Sequence, residues 1–170
     1  MKRLLKRIFA GAIDKRFTSL ANKKMSLLPQ GSQIYFFDID NTLANTCGKK
    51  HLTTVNDFPE MIKLVKEKRK SGMVYFLSAR NITTYSTTKQ WLQSRGFNKP
   101  DFELIFVTEP SKKIKILSDA IAKGLLVEYY DDLCYNHENG IIKKYDAIIK
   151  AVSELKLNYR GIDDFAHLQQ

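Results

Sequence analysis

The chain has 170 residues, 44% hydrophobic and 27% charged, with only eight Gly and four Pro; that is the material of one ordinary α/β domain with a core, and it excludes a multidomain enzyme and a chain disordered throughout. Twenty-eight Lys and Arg against eighteen Asp and Glu give a formal net charge of +10, which taken alone does not establish a nucleic-acid partner. Cys47 and Cys134 are too few for a disulfide scaffold and read as free thiols, and with no apolar run near the roughly 20 residues that cross a bilayer and no secretory leader pattern, the expectation is a cytoplasmic protein.

Residues 1–24 carry eight Lys or Arg against one acid, Asp14. Between Leu4 and Leu20, apolar residues at Leu5, Ile8, Phe9, Ala12, Ile13, Phe17 and Leu20 fall on one helix face. A basic amphipathic helix is expected there. It could pack on the domain itself, lie on a membrane surface, contact nucleic acid or serve organelle targeting, the last weakened by Asp14. Turn residues around Leu28-Pro29-Gln30-Gly31 end it, dividing an N-terminal helix and linker (1–30) from the main domain (31–170).

From Gln33 onward, strands and helices alternate. Strands are predicted over 34–37, 73–77, 103–107 and 125–130, and helices over 60–70, 84–94, 111–123 and 145–155, with an edge strand near 158–162. That order predicts an α/β fold with a mainly parallel sheet and helices on both faces. Ligands of such sheets sit beyond the carboxyl ends of the strands.

The first strand runs into Asp38-Ile39-Asp40-Asn41-Thr42. Two carboxylates two residues apart share a face of an extended chain, and like charges that close favour a cation between them, for which Mg²⁺ with its preference for hard oxygen ligands is the natural choice. The alternative is that both aspartates merely cap a turn. A second acidic pair, Asp131-Asp132, ends the fourth strand, and two pairs at the tips of one sheet argue for a shared metal site. Ser78 and Arg80 end the second strand and are natural partners of phosphate, or else a solvated turn. Lys113, with Lys112 as the alternative, opens the helix before the fourth strand, where a cation either joins the helix's positive end or lies on the surface.

In this order the elements resemble the haloacid dehalogenase superfamily of phosphohydrolases, over Ile34 to about Asn136. The resemblance implies a Rossmann-like fold. It further implies that Asp38 is a nucleophile forming an aspartyl-phosphate and Asp40 the acid and base. Mg²⁺ would be held by Asp38, Asp40 (through its backbone carbonyl), Asp131 and Asp132, and the phosphoryl group by Thr42, Ser78, Arg80 and Lys113. The short gaps 42–73 and 80–113 correspond to the superfamily's capless members. Leu77-Ser78-Ala79-Arg80 followed by Thr87 and Trp91 looks like the phosphatase domain of bacteriophage polynucleotide kinase-phosphatases, and implies a polynucleotide 3′-phosphatase or a nucleotidase. The same Leu-Ser-Ala-Arg string also looks like lipin-type lipid phosphatases, and a non-catalytic phosphate-binding protein of the same fold is a further alternative. Trp91 suits a core position better than a base platform. The lysines from Lys63 to Lys70 read as an exposed helix face or a phosphate-backbone track. His137 and Glu138 read as solvated loop residues or as a gate on the pocket.

Overall fold

The computed structural model describes residues 2–47, 51–98, 100 and 102–169. The side chains of residues 2–8 and of Glu138, part of the expected basic face and gate, lie outside that description. The elements in chain order are α1 (Lys2–Met25), β1 (Gln33–Phe37), α2 (Pro59–Lys68), β2 (Met73–Ser78), α3 (Tyr85–Ser94), β3 (Phe102–Phe106), α4 (Lys113–Ala122), β4 (Leu126–Tyr130), β5 (Cys134–Tyr135), β6 (Lys143–Lys144), α5 (Asp146–Ser153), β7 (Asn158–Arg160) and α6 (Ile162–Phe165).

Five strands form one sheet in the order β3-β2-β1-β4-β7, every pairing parallel. The fold is α/β and Rossmann-like. Ile34, Tyr35, Phe36 and Phe37 of β1 are all buried, because a central parallel strand is covered on both faces and so shows an unbroken apolar run. α2 and α3 connect the strands as the chain moves from β1 to β3, and α4 and α5 as it returns through β4 to β7; the right-handed crossover rule for parallel strands assigns these two pairs to opposite faces. The strand order therefore reverses between β1 and β4, and a crevice opens at their carboxyl ends. At the opposite edge Gly72 lets β2 start close against β1, since a Cβ there would lie 2.3 Å from the Gln33 carbonyl oxygen.

The N-terminal helix is longer than its apolar spacing indicated. Its second half packs on β3 and α4, with Phe17, Ala21 and Met25 joining the same buried cluster as the sheet. Phe17 lies 5.4 Å from the ring of Tyr85 and 6.3 Å from that of Phe106. Asp14, the lone acid, accepts hydrogen bonds from the Thr108 backbone N–H (2.8 Å) and hydroxyl (2.6 Å), and Lys24 pairs with the buried Glu103 at 3.0 Å. These contacts cover β3, which would otherwise be an open sheet edge. None of the described helices is long and apolar enough to cross a membrane.

Differences from the predicted elements are local. Helices begin or end a residue or two away, as where a 3₁₀ turn at Ile82–Thr84 precedes α3 and another at Pro110–Lys112 precedes α4. The β5–β6 hairpin and α6 were not anticipated. Two-residue strands are too short to show a period, and the hairpin turns through left-handed residues at Asn136 and Gly140.

Because α1 shares the sheet's core, Phe17→Ala is expected to lower stability by about 3 kcal/mol in urea unfolding while leaving one cooperative transition. A loss under about 0.5 kcal/mol, the size usual for surface positions, would show that the helix is not part of the folding unit.

Candidate active site

The pairing of β1 with β4 sets Phe37 opposite Tyr130, so the next residue on each strand, Asp38 and Asp131, emerges level at the crevice. The Asp38 backbone N–H donates to the Tyr130 carbonyl at 2.8 Å, extending the ladder by one step. Beyond it the chain turns tightly: Ile39 is fully buried and anchors the turn, Asn41 adopts the left-handed conformation that Asn tolerates, and its N–H donates to the Ala44 carbonyl at 2.8 Å. Asp38 and Asp40, on either side of the anchored Ile39, both border one cleft of about 250 Å³. Lys113, Asp131, Asp132 and Tyr145 border it as well.

Asp38, Asp131 and Asp132 are all buried, and each offers an oxygen within 4.8 Å of the others. Lys113, on the first turn of α4, is also buried. Its ammonium lies 2.6 Å from Asp131 Oδ2 and 2.9 Å from Asp38 Oδ1, the latter a charge contact outside hydrogen-bond geometry. Asp131 is held further by the Leu133 N–H on Oδ1 (2.8 Å) and by the Tyr129 hydroxyl on Oδ2. Lys112 is exposed, so Lys113 is the lysine in the cleft.

Asp40 is turned differently. Its carboxylate pairs with Arg80 rather than joining the three clustered ones, and its side chain retains 32% exposure at the cleft's mouth. Two other expected phosphate ligands, Thr42 and Ser78, are not among the residues that border the cleft. The Thr42 hydroxyl accepts from the Asp132 N–H at 3.2 Å, bracing the β4 loop, and the Ser78 hydroxyl accepts from the Arg80 N–H at 3.3 Å; both residues are fully buried. Neither Tyr129, which reads as another apolar strand position, nor Tyr159, whose hydroxyl donates to the Asp131 carbonyl at 3.0 Å, is marked out by its sequence context. His137 Nε2 lies 3.0 Å from Asp132 Oδ2, at the position considered for a gate.

The electrostatics follow from this crowding. Burial, opposed by Lys113 and reinforced by Asp131 and Asp40, pushes Asp38 up from the ordinary 3.8 to about 7. Burial, then Asp131 and Asp38, push Asp132 up to about 9. Asp40 is raised too, by burial that the Arg80 guanidinium opposes. Burial alone would depress Lys113, but Asp131 and Asp38 outweigh it and hold the ammonium charged. Four carboxylates thus face two cationic side chains, Lys113 and Arg80. A divalent ion would complete the balance, and the donor set suits Mg²⁺: hard oxygens spanning little more than the roughly 4 Å between opposite ligands of such an ion.

Removing divalent metal should make this acidic cluster a source of instability. Unfolded aspartates release protons near pH 4, whereas the folded ones hold them to about 7 and about 9, so metal-free stability falls as pH rises through that window. Thermal melts in EDTA from about pH 5 to about pH 9 are expected to decline, with Mg²⁺ restoring the loss increasingly at high pH. Asp132→Asn should flatten the decline; a melting temperature that rises with pH in EDTA would contradict this account. Comparison of the chain with protein-family models, with curated proteins and with solved structures finds no match, so what the cleft does must be argued from its residues.

Proposed function

We propose that the protein is a Mg²⁺-dependent phosphomonoesterase that works through an aspartyl-phosphate on Asp38. The observation that carries this reading is the cluster of three buried carboxylates, Asp38, Asp131 and Asp132, gathered around a single lysine at the strand-order reversal of a parallel sheet. A structural role is a poor explanation for it. Buried like charges are costly, and a cluster retained for stability alone would be better replaced by apolar residues.

The roles follow from position. Asp38 and Asp131, with Asp132 beside them, would hold the Mg²⁺. The bound ion would supply charge neutralisation to the phosphate oxygens and to the Asp38 carboxylate. Asp38 attacks phosphorus: its carboxylate oxygen forms a bond as the bond to the ester oxygen breaks, leaving an acyl phosphate that water then hydrolyses. Lys113 balances negative charge on the transferring group, aided by the positive end of α4, and Tyr129 and the Leu133 N–H keep Asp131 fixed. Asp40, at the mouth and held by Arg80, donates a proton to the leaving oxygen and then takes one from water; its raised pKa suits the first of these steps.

Arg80 stands within the same polar group and can release Asp40 to meet a phosphate oxygen, which would account for its place at the end of β2.

Asp38→Asn should lower Mg²⁺-dependent phosphate release from an aryl phosphate by roughly three orders of magnitude or more. Asp40→Asn should cost about 10²–10⁴-fold with an alkyl phosphate, whose leaving group needs a proton, and distinctly less with an aryl phosphate. Equal losses on both esters would remove Asp40 from the acid role, and wild-type protein inactive on every phosphomonoester would contradict the proposal.

A further inference from the structure

A second, smaller space adjoins the acidic cleft. Beside the start of α3 lies a pocket of about 160 Å³, bordered by Arg80, by the exposed His51 and by four threonines, Thr83, Thr84, Thr87 and Thr88. Arg80 joins the two spaces: it borders this pocket, and its guanidinium pairs with Asp40, which borders the cleft. The Arg80 side chain is only 6% exposed, so this link is shielded from water. Neither the proposed chemistry at Asp38 nor the proposed metal site uses the threonines.

The two spaces differ in charge. Four aspartates border the acidic cleft, whereas no carboxylate among the described residues borders the pocket, and α3 has no acid in its first turn. Thr84, at the N-cap of α3, gives the helix no side-chain cap. Its hydroxyl donates instead to the Asn81 carbonyl at 2.7 Å, and that of Thr83 to the Asn81 side-chain oxygen at 3.0 Å. The positive end of α3 therefore borders the pocket with no anionic side chain upon it.

Thr88 is the residue that points to a ligand. It is fully buried, and its hydroxyl has no hydrogen-bond partner among the described residues. A threonine inside a helix ordinarily returns its hydroxyl to the carbonyl one turn back, and this one does not. Valine has the same shape and would leave nothing unpaired. A buried hydroxyl kept without a partner beside a pocket is therefore better explained by what the pocket receives.

Hydroxyl donors, a guanidinium and the positive end of a helix together suit an oxyanion. A space of about 160 Å³ admits a group of roughly six heavy atoms, enough for one phosphate. A guanidinium carries its N–H donors in a flat fork, so Arg80 can face Asp40 on one side and such a group on the other. A terminal phosphate presents three oxygens to these donors, whereas a phosphodiester presents two and must continue through a space that holds only one group. Resting on the phosphomonoesterase reading, we propose that the pocket is a second phosphate subsite and that the substrate is a small alcohol bearing two phosphates. One phosphate enters the acidic cleft, and the other is held by Arg80, Thr87, Thr88 and the start of α3. Hydrolysis breaks the bond between phosphorus and the ester oxygen of the first, water supplies the oxygen that completes inorganic phosphate, and the second phosphate leaves with the alcohol.

The test uses the full chain with Mg²⁺ in two measurements. The first compares kcat/KM for phosphate release from the bisphosphates of three-carbon and four-carbon alkanediols with that from the corresponding monophosphates and from a 3′-phosphorylated oligonucleotide. The second is calorimetric binding of the three-carbon bisphosphonate and monophosphonate, whose carbon–phosphorus bonds are not hydrolysed. The expected result is a preference of about tenfold or more for at least one bisphosphate over its monophosphate, and for the bisphosphonate over the monophosphonate. Thr88→Val should remove both preferences, and Thr88→Ser should keep them. Equal kcat/KM for monophosphates and bisphosphates, a preference that survives Thr88→Val, or faster release from the oligonucleotide than from either bisphosphate would overturn the inference and leave the phosphomonoesterase reading intact. Absence of turnover with every ester would overturn that reading and the substrate assignment together, and Thr88-dependent binding of the bisphosphonate would then show a phosphate pocket only.

Discussion

Three carboxylates buried within 4.8 Å of one another are tolerable only if something positive lies among them, and this constraint organises the molecule. Lys113 supplies part of the compensation and is itself kept charged by the aspartates it serves. The remainder is visible as carboxyl groups that hold protons far above their ordinary range, Asp132 most of all. A site built this way is incomplete as a set of side chains. On the proposed reading, a hard divalent cation would neutralise the cluster and a phosphate would meet the lysine and the positive end of α4.

The sheet exists in the form that makes this crowding unavoidable. Parallel pairing of β1 with β4 in a register that matches Phe37 to Tyr130 delivers two aspartates to the same height, and the reversal of strand order sends the loops that follow them to opposite faces. Around this crevice the supporting residues are mostly backbone amides and hydroxyls turned inward. Thr42 braces the Asp132 loop, Tyr159 holds the Asp131 carbonyl, and Gln169 near the C-terminus donates to the Asn41 carbonyl at 2.6 Å. The turn that carries Asp38 and Asp40 is thus tied to a segment more than a hundred residues away. On the proposed reading, that rigidity would hold Asp38 in line with phosphorus.

Much of this was legible in the chain. The strand β1 announced itself because a central parallel strand is apolar on both faces, and the two acidic pairs were visible because each interrupts such a run at its end. Asp38, Asp131, Asp132 and Lys113 do converge. Partners that lie within apolar patterns could not be distinguished. Tyr129 looks like core until its hydroxyl is seen on Asp131, and Thr42 and Ser78, read as phosphate ligands, are both fully buried. Asp40 and Arg80 were each noted, but only the fold shows that they engage one another. The hairpin of β5 and β6 escaped notice because its strands have two residues each. Likewise the apolar spacing of α1 gave its helical character but not its packing on β3 and α4.

The account stands on one divalent ion shared by carboxylates from two neighbouring strands. Mn²⁺ is a suitable spectroscopic reporter, since it accepts the same oxygen ligands as Mg²⁺. Titration of the protein followed by electron paramagnetic resonance is expected to show a single saturable Mn²⁺ site, displaced by excess Mg²⁺ and lost in both Asp38→Asn and Asp131→Asn. Absence of that site in the wild-type protein, or its survival unchanged in both variants, would contradict the account.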